Sequence, residues 1–394
     1  MIAYAMEWIE LLVRWIHVIT GVSWIGASFY FNWLNHHMRP PEEPREGVGG
    51  DLWAVHGGAF YQVTKYTVAP ERLPKVLHWF KYEAYFTWIS GFTLLLLVYH
   101  LGAGGLLIDP SVAELSQGAA TAIGLGTLAV GWVIYDLMCK SPLGKSNLGL
   151  FFVGFGLVAG AAVGLCQVFS GRGAYIHVGA LIGTIMAANV FFVIIPGQKK
   201  MVDAMIKGEE PDPAYGKAGA QRSLHNNYFT LPVLFIMVSN HYPMTFGHAY
   251  NWAVLIALSL ISAGVRHWFN LRGQGHKNVW ILPVAAGAMV ALALVSAPKA
   301  ADDGPPVSFA EAKLIINTRC SPCHSAQPTQ PGFVSPPGGI VYDTPEQIQR
   351  MAGRIHAQAV SAKVMPPGNL TGITDAERAA LGRWIRAGAN IDEQ

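Results

Sequence analysis

The chain has 394 residues, of which 52% are hydrophobic and 13% are charged, and its formal net charge at pH 7 is +3. A mean hydropathy of +0.32 is too high for an ordinary soluble enzyme, so these values predict a membrane protein. The small net charge gives no reason to expect a nucleic-acid partner.

Eight segments approach the roughly 20 mostly apolar residues that a helix needs to cross a bilayer. The first follows Glu7 and Glu10 instead of a basic start and lacks a small-residue cleavage site, so we expect it to stay in the protein. The sixth is short and carries Pro232, which predicts a kink or an earlier beginning. The eight are about Leu11–Leu34, Leu77–Leu101, Gly118–Met138, Leu148–Phe169, Ile176–Ile195, Asn227–Asn240, Tyr250–Phe269 and Val279–Ser296.

The distribution of Lys and Arg between the loops predicts the orientation, because short cytoplasmic loops are enriched in them. The loops after spans two and six hold none, and the link after span four holds only Arg172. With an even number of spans, both termini then lie on the outer, periplasmic side of a bacterial cytoplasmic membrane. The loops after spans one, three, five and seven carry Arg39, Arg45, Lys65, Arg72, Lys75, Lys140, Lys145, Lys199, Lys200, Lys207, Lys217, Arg222, Arg272 and Lys277.

Span one carries a histidine that returns in span five. Trp15-Ile-His-Val18 opens the first and Tyr175-Ile-His-Val178 the fifth, which predicts two four-helix halves unless the likeness is coincidence. Ionisable groups inside spans are costly and indicate function. We therefore expect His17 and His177 to be ligands of haem b; the alternative is that each is an interfacial or hydrogen-bonded residue. Thr20, Gly21, Trp24 and Ser28 follow His17 at helical spacing, a face against which a flat macrocycle can pack.

Between spans one and two, the stretch GDLWAVHGGAFYQVTKY alternates in the manner of a short strand or hairpin, which we expect to cover a cytoplasmic-side site. Span two then begins LHWFKYEAYFTWISGF. At helical spacing, His78, Lys81, Tyr85 and Trp88 share one face that suits an anionic, planar substrate. The alternative for Lys81 is that it extends to the lipid headgroups. Glu83 lies deeper and needs a partner, for which Lys81 and an arginine of a neighbouring helix are the candidates. We expect His78, Lys81 and Glu83 to be catalytic.

After the spans comes a change of composition. The stretch SAPKAADDGPPV is small, charged and proline-rich, which predicts a linker. We therefore divide the chain into a transmembrane helical domain (1–298), a linker (299–307) and a compact module (308–394). The module opens with a helix at Ser308–Thr318, where Ser308 and Glu311 form a capping box, and closes with one at Asp375–Ala387, capped by Thr374 and Glu377.

The module contains the strongest motif in the chain, TRCSPCH, in which Cys320 and Cys323 precede His324. Two cysteines at this spacing form thioethers to one haem while the adjacent histidine binds its iron. A redox dithiol and half of a zinc site are the alternatives; there is no second cysteine pair and no βαβ pattern to support them. We predict one covalent haem c. For the second axial ligand we expect Met365, in VMPPGN, over its rivals Met351 and His356, which fall in a helical stretch.

The order helix, CxxCH, loop, Met, helix resembles the class I cytochromes c. The run RWIHVITGVSWIGASFYFNWLNHHMRP, the large first loop, LHWFKYEAYFTWISGFTLLLLVYH and the cytochrome-like tail together resemble the bacterial membrane-bound urate oxidase (urate hydroxylase) family. The resemblance implies an all-α polytopic membrane bundle followed by a class I cytochrome c domain. The first span is also similar to that of small four-helix haem-binding membrane proteins, which favours haem b.

This resemblance also implies a function: oxidation of urate to 5-hydroxyisourate without hydrogen peroxide, with electrons leaving through haem c to a soluble cytochrome c or a terminal oxidase. Composition and spacing do not identify urate. Two other functions remain open from the residues, a non-catalytic conduit from quinol or a partner enzyme to haem c, and a subunit of a larger oxidase or transporter.

Overall fold

A computed structural model describes residues 2–102, 105–297 and 304–392, which form a helical bundle followed by a smaller helical module. The bundle consists of α1 (Ile2–His37), β1 (Val48–His56), β2 (Ala59–Tyr66), α2 (Tyr82–Leu95), α3 (Gln117–Lys140), α4 (Asn147–Cys166), α5 (Gly171–Ala188), α6 (Ile195–Ile206), α7 (Pro213–Ser239), α8 (Pro243–Phe246), α9 (Asn251–Gly273) and α10 (Ile281–Val295). The module consists of α11 (Phe309–Arg319), α12 (Pro345–Arg350), α13 (Ala352–Ile355) and α14 (Asp375–Arg386). Wider π turns follow α2 (Leu96–His100), α5 (Asn189–Ile194) and α13 (His356–Ser361).

The chain is mostly helical, as expected, and all eight predicted spans fall on helices. Within the described residues, five helices are long and apolar enough to cross a membrane: Tyr4–His37, Gln117–Lys140, Asn147–Cys166, Gly171–Ile206 and Asn251–Gly273. The sixth predicted span does begin further back, at the start of α7, and Pro232 lies inside that helix. The last, α10, has only 15 residues. Eight crossings therefore remain a prediction.

Helix α5 lies at the centre of the bundle, with α2, α3, α4 and α7 packed around it. It is buried on all sides because apolar residues cover its whole circumference; Val178, Leu181 and Ile182 are each at most 1% exposed. Gly179 allows α7 to approach, since a Cβ there would lie 2.7 Å from Ile236. Helices α2, α3 and α4 thus pack onto α5, and α1 contacts α7 and α9, so the two expected four-helix halves are in extensive contact.

The predicted hairpin is present between α1 and α2. Strands β1 and β2 pair antiparallel from Val48 opposite Tyr66 to His56 opposite Ala59. The two turn residues, Gly57 and Gly58, both have positive φ, the backbone conformation that a tight hairpin turn requires. Backbone hydrogen bonds between Arg39 and Asp51, of 2.8 and 3.0 Å, attach the hairpin to the end of α1.

The module forms its own core around Ile316, Ile348, Leu381 and Trp384. Both predicted terminal helices are confirmed. Thr374 and Glu377 form the complete capping box of α14, whereas at α11 the Ser308 hydroxyl accepts from Glu311 N–H, which is one half of the expected pair. Val307 is already buried in this core, so the end of the predicted linker belongs to the module, while 298–303 lie outside the described residues.

The module contacts the bundle at the end where α1 begins. Ser335 hydroxyl donates to Glu7 (3.1 Å), and Val364 packs with Leu106 and Ile108 against the bundle core. The approach is close, because a Cβ at Gly247, just after α8, would lie 2.4 Å from the carbonyl oxygen of Ala362. The segments involved are the N-terminus and the two loops whose Lys and Arg content predicts the outer side.

This contact gives a prediction about Gly247. In the Gly247→Ala variant the added methyl group has to displace the backbone at Ala362. We expect faster amide hydrogen exchange over 362–368 and over 105–109, measured by mass spectrometry on the purified full-length protein. Gly264→Ala is the control, because nothing lies within 4 Å of a Cβ at Gly264. Equal exchange in the two variants would show that the contact does not hold the module.

Candidate functional site

The CxxCH segment follows α11 directly. The helix ends at Arg319, and His324 N–H then donates to the carbonyl of Cys320 (2.9 Å), which curls the segment into a compact turn. Cys320 and Cys323 form no disulfide with each other, and burial raises the pKa of Cys320 to about 12 and that of Cys323 above its ordinary value. Redox dithiols work through a lowered thiol pKa. This environment therefore does not favour the redox-dithiol alternative.

One ring nitrogen of His324 is hydrogen-bonded, and the other is available as a metal ligand. Its Nδ1 donates to the carbonyl oxygen of Ile340 (3.0 Å), and burial lowers its pKa, so the imidazole is neutral with a lone pair on Nε2. Histidines that bind metals generally donate their second nitrogen to a carbonyl or carboxylate in this way. The ring of Tyr342 lies 5.2 Å away. The donor set of Cys320, Cys323 and His324 fits a covalently held haem.

Met365 and Cys320 pack against the same core, so the fold brings the loop VMPPGN to the CxxCH segment. Arg378, buried under the loop, donates to the carbonyl of Met365 (2.7 Å) and to that of Ala359. Met351 packs against this core as well and remains a rival, whereas the Nδ1 of His356 lies 3.2 Å from the hydroxyl of Ser361. Assignment of Met365 as the iron ligand stays a prediction.

Inside the bundle, His177 meets His100 instead of His17. The Nε2 atoms of His100 and His177 are 3.1 Å apart, and the two side chains are 5% and 0% exposed. His177 Nδ1 donates to the carbonyl of Gly173 (2.8 Å), so its Nε2 accepts. His100 therefore donates through Nε2 and can accept from the Thr121 hydroxyl at Nδ1 (3.2 Å). The pair is a directed chain of hydrogen bonds.

This geometry does not fit a haem iron between the two rings. Two metal–imidazole bonds of about 2.0 Å would hold the Nε2 atoms about 4 Å apart, and the gap is 3.1 Å. His17 is engaged with α2, where Nδ1 lies 3.0 Å from the Thr87 carbonyl and 3.1 Å from the Ser90 hydroxyl. His17 and His177 thus do not form one bis-histidine site.

The predicted catalytic residues of span two are not arranged on one helical face. Helix α2 begins at Tyr82, so His78 and Lys81 precede it, because Phe80 packs edge-on against Phe31 (4.7 Å) and bends the chain before the helix. His78 is exposed, and the ammonium of Lys81 lies over the rings of Trp79 and Tyr82, at 6.0 and 5.0 Å.

Glu83, in the first turn of α2, is half-buried and has one shielded carboxylate oxygen. Its Oε2 is shielded from solvent and has no hydrogen-bond partner. Lys81 and Glu83 do not form the expected ion pair, since no nitrogen–oxygen contact within 4.0 Å joins them. The three predicted residues lie close in sequence, but only Glu83 has an unpaired polar atom inside the fold.

Two networks of polar side chains cross the bundle, and neither was predicted from the sequence. The first joins α3, the π turn after α5, and α7. Arg222, which we placed in a basic loop, is 3% exposed inside α7 and donates to Asp136 (2.8 Å) and Asn189 (3.1 Å). Asn189 donates in turn to Asn226 (2.9 Å) and to Tyr135 (3.1 Å). Asn189 lies at the start of a π turn, a feature often found at functional sites.

The second network joins α1, α7 and α9. Asn227 accepts from Arg266 Nε (3.0 Å) and from Asn270 Nδ2 (2.9 Å), and Asn270 accepts from Asn32 Nδ2 (3.0 Å). Arg266 can be recognised in the sequence as an ionisable residue inside the seventh predicted span, about Tyr250–Phe269. The asparagines cannot be recognised in this way, because an uncharged amide gives no signal unless each polar residue within a predicted span is considered.

Comparison with known proteins gives one positive result. The family model described as "Urate oxidase N-terminal" matches residues 3–297, which include the whole bundle but not the module. No curated protein and no solved structure matches the chain. The match is independent of the CxxCH motif, since that motif lies outside the matched residues.

The histidine pair gives a prediction that separates a hydrogen-bonded pair from a haem b site. His177→Leu removes the acceptor of His100 Nε2–H, and an orphaned buried donor costs roughly 1–3 kcal/mol, so we expect a lower Tm. Haem extractable into acidified acetone should not change. His241→Leu is the control, because His241 is exposed. Loss of extractable haem in the His177 variant alone would show that this residue binds haem.

Proposed function

Because this chain belongs to the urate oxidase N-terminal family, we propose that it is a membrane-bound oxidoreductase that oxidises urate and passes the electrons to a haem c in its own C-terminal module. The observation that carries the proposal is the family match over 3–297 in a chain that continues into a CxxCH module packed against the matched bundle. Five helices long and apolar enough for a bilayer support the membrane location.

The haem would be held by thioethers from Cys320 and Cys323, with His324 Nε2 and Met365 as axial ligands. Such a group supplies one-electron transfer at a potential that Met/His ligation raises. Residues of the module orient the two expected ligands. The Ile340 carbonyl accepts from His324, and Arg378 donates to the carbonyl of Met365. Met365 stands immediately after Val364, which packs on the bundle, so the expected ligand loop faces the membrane half.

Residues 107–108 and the first two turns of α5 lie between the expected ligand loop and the histidine pair. Ile108 and Val364 pack against the same core cluster, and the carbonyl of Leu107 accepts from Ser170 N–H (2.9 Å) just before α5. His177 lies in the second turn of α5 and meets His100 there. The pair therefore lies at the end of the bundle that carries the module, where it suits removal of protons toward the same side.

The proposed orientation places this end in the periplasm of a bacterial cytoplasmic membrane. Its support is the distribution of Lys and Arg between loops, together with the contact of the module with the N-terminus and with the loops at 105–109 and 243–247. A periplasmic module can deliver electrons to a soluble cytochrome c or to a terminal oxidase. It also lies in the compartment where c-type haem is attached.

The proposed reaction converts urate and water to 5-hydroxyisourate, two protons and two electrons. Water adds to the oxidised ring. A haem held by Cys320, Cys323 and His324 would supply one-electron acceptance, so both electrons would leave without consumption of molecular oxygen or formation of hydrogen peroxide. A base has to accept a proton during this sequence. Glu83 is better placed than His78, because a buried carboxylate oxygen without a donor partner is available for a proton.

The direct test is anaerobic addition of urate to the purified, haem-loaded protein. We expect reduction of the covalent haem by urate alone, with formation of 5-hydroxyisourate and no hydrogen peroxide. Reduction by quinol but not by urate would instead identify a conduit. A requirement for a stoichiometric co-purifying partner would identify a subunit of a larger oxidase.

The axial ligand has its own test, in variants of the two rival methionines. Met365→Ala should lower the haem reduction potential and slow haem reduction by urate, because the thioether ligand is lost. Met351→Ala is the matched control, since Met351 packs against the same core. The reverse pattern would assign Met351 as the ligand.

The catalytic group is tested by Glu83→Gln and Lys81→Gln. We expect kcat for urate to fall about 100-fold in the Glu83 variant, the usual effect of a lost general base. The Lys81 variant should change kcat much less, because the Lys81 ammonium lies over the rings of Trp79 and Tyr82 and makes no ion pair with Glu83. Lys75→Gln, in the exposed loop before α2, is the control. Unchanged turnover in both variants would remove this site assignment.

A further inference from the structure

One amide in the bundle has a donor without an acceptor. Asn227, 2% exposed in α7, accepts two hydrogen bonds at Oδ1, from Arg266 Nε and Asn270 Nδ2. Its Nδ2 is buried and has no partner. The orientation of the amide is fixed, because the flipped form would set NH2 against two donors. The unpaired donor is therefore a property of this network, and leaving it unpaired is costly.

Arg266, which is hydrogen-bonded to Asn227, also has more hydrogen-bond donors than acceptors around it. The side chain is 6% exposed in α9 and lies 4.2 Å from the ring centroid of Phe29. Only its Nε has a hydrogen-bond partner in the described part of the chain, and no carboxylate there comes within 4.0 Å of the guanidinium. A buried cation without a counter-ion inside an apolar helix is strongly unfavourable, so such a residue generally has a functional role.

Arg222 shows how the same bundle treats a structural arginine. It is also buried, but it donates to the carboxylate of Asp136 (2.8 Å) and to the amide oxygen of Asn189 (3.1 Å). Its charge is neutralised inside the fold. The two buried arginines thus differ in one respect, which is that Arg266 still lacks an anion.

The network around Arg266 is also held in place from three helices. Asn32 on α1 donates to Asn270 on α9, and Asn270 donates to Asn227 on α7. Every described hydrogen bond among these side chains ends on the Oδ1 of Asn227 or Asn270, which leaves donors and not acceptors at Arg266 and Asn227. A site with fixed, unpaired donors and one positive charge is complementary to a planar anion rich in acceptor atoms.

We propose that Arg266 and Asn227 form the substrate-binding site, in which the guanidinium and the Asn227 Nδ2 donate to oxygen or nitrogen acceptors of the urate monoanion. Arginine forks and asparagine amides are suited to such edges, since both pair with purine acceptors elsewhere in biology. This inference rests on the proposed function for the identity of the anion, and it moves substrate binding from Lys81 to the interface of α1, α7 and α9. Glu83 remains the proposed base.

The test uses the full-length, haem-loaded protein and two variants. Arg266→Gln removes the charge and should weaken equilibrium binding of radiolabelled urate by roughly 10- to 150-fold, the range for hydrogen bonds to a charged group. Asn227→Asp keeps the acceptor for Arg266 and Asn270 but replaces the unpaired donor by an anion. It should abolish urate binding and raise Tm by roughly 2 °C or more, because Arg266 gains its missing counter-ion.

Arg272→Gln is the matched control. Arg272 lies on the same helix, also stacks on an aromatic ring (Trp268, 5.2 Å) and is exposed, so neither urate binding nor Tm should change. Haem content and reduction by ascorbate confirm that each variant has folded and kept its cofactor.

The outcomes separate this proposal from the proposed function. If the wild-type protein binds and oxidises urate while both variants equal the wild type, the site is overturned and the function stands. If the wild type neither binds nor oxidises urate, the function is overturned. The site is then judged by Asn227→Asp alone: a higher Tm supports an uncompensated donor site, and an equal or lower Tm overturns it.

Discussion

Inside a bundle this apolar, water is not available as a hydrogen-bond partner for a buried polar group, so the partner has to come from the chain itself. Most of the polar interior obeys this constraint. Arg222 has Asp136 and Asn189, His177 has Gly173 and His100, and the amide of Asn226 donates to the carbonyl of Met186 (3.0 Å). These satisfied groups connect α3, α5 and α7 and fix how the helices pack. Among the described residues of the bundle, the exceptions are Asp51 Oδ1 in the hairpin and, within the helices, Asn227 Nδ2 and Glu83 Oε2. The two in the helices therefore stand out as sites where something else completes the pairing.

The histidine pair and Arg266 lie at different levels along the bundle. The histidine pair lies toward the end that carries the module, whereas Arg266 lies two turns before the opposite end of α9. Helix α5 runs between these levels as the most buried helix of the bundle. In the proposed function, substrate binds near the end with the basic loops and electrons leave at the other, so the central helix separates the two processes in space.

Local patterns carried most of what could be predicted from the sequence. The capping residue Thr374, the glycine turn at Gly57 and the spacing of Cys320, Cys323 and His324 act over a few residues, and each of these predictions concerns local geometry. The start of α2 was predicted too early, because the packing of Phe80 on Phe31 overrides the helical pattern. The contact between His100 and His177 and the network at Asn227 join residues 77 and 39 or more positions apart, and no local pattern encodes such pairings.

The contact between module and bundle also determines which surface of the module is left for other proteins. The loop that holds Met365 is pressed against the bundle through Val364, and a Cβ at Gly368 would lie 2.7 Å from the carbonyl oxygen of Ile108. A second protein therefore cannot bind that surface while the module is docked. In the proposed function, the electron donor and the external acceptor would then approach the module from different sides, so binding of the acceptor would not interrupt the delivery of the second electron from the same substrate molecule.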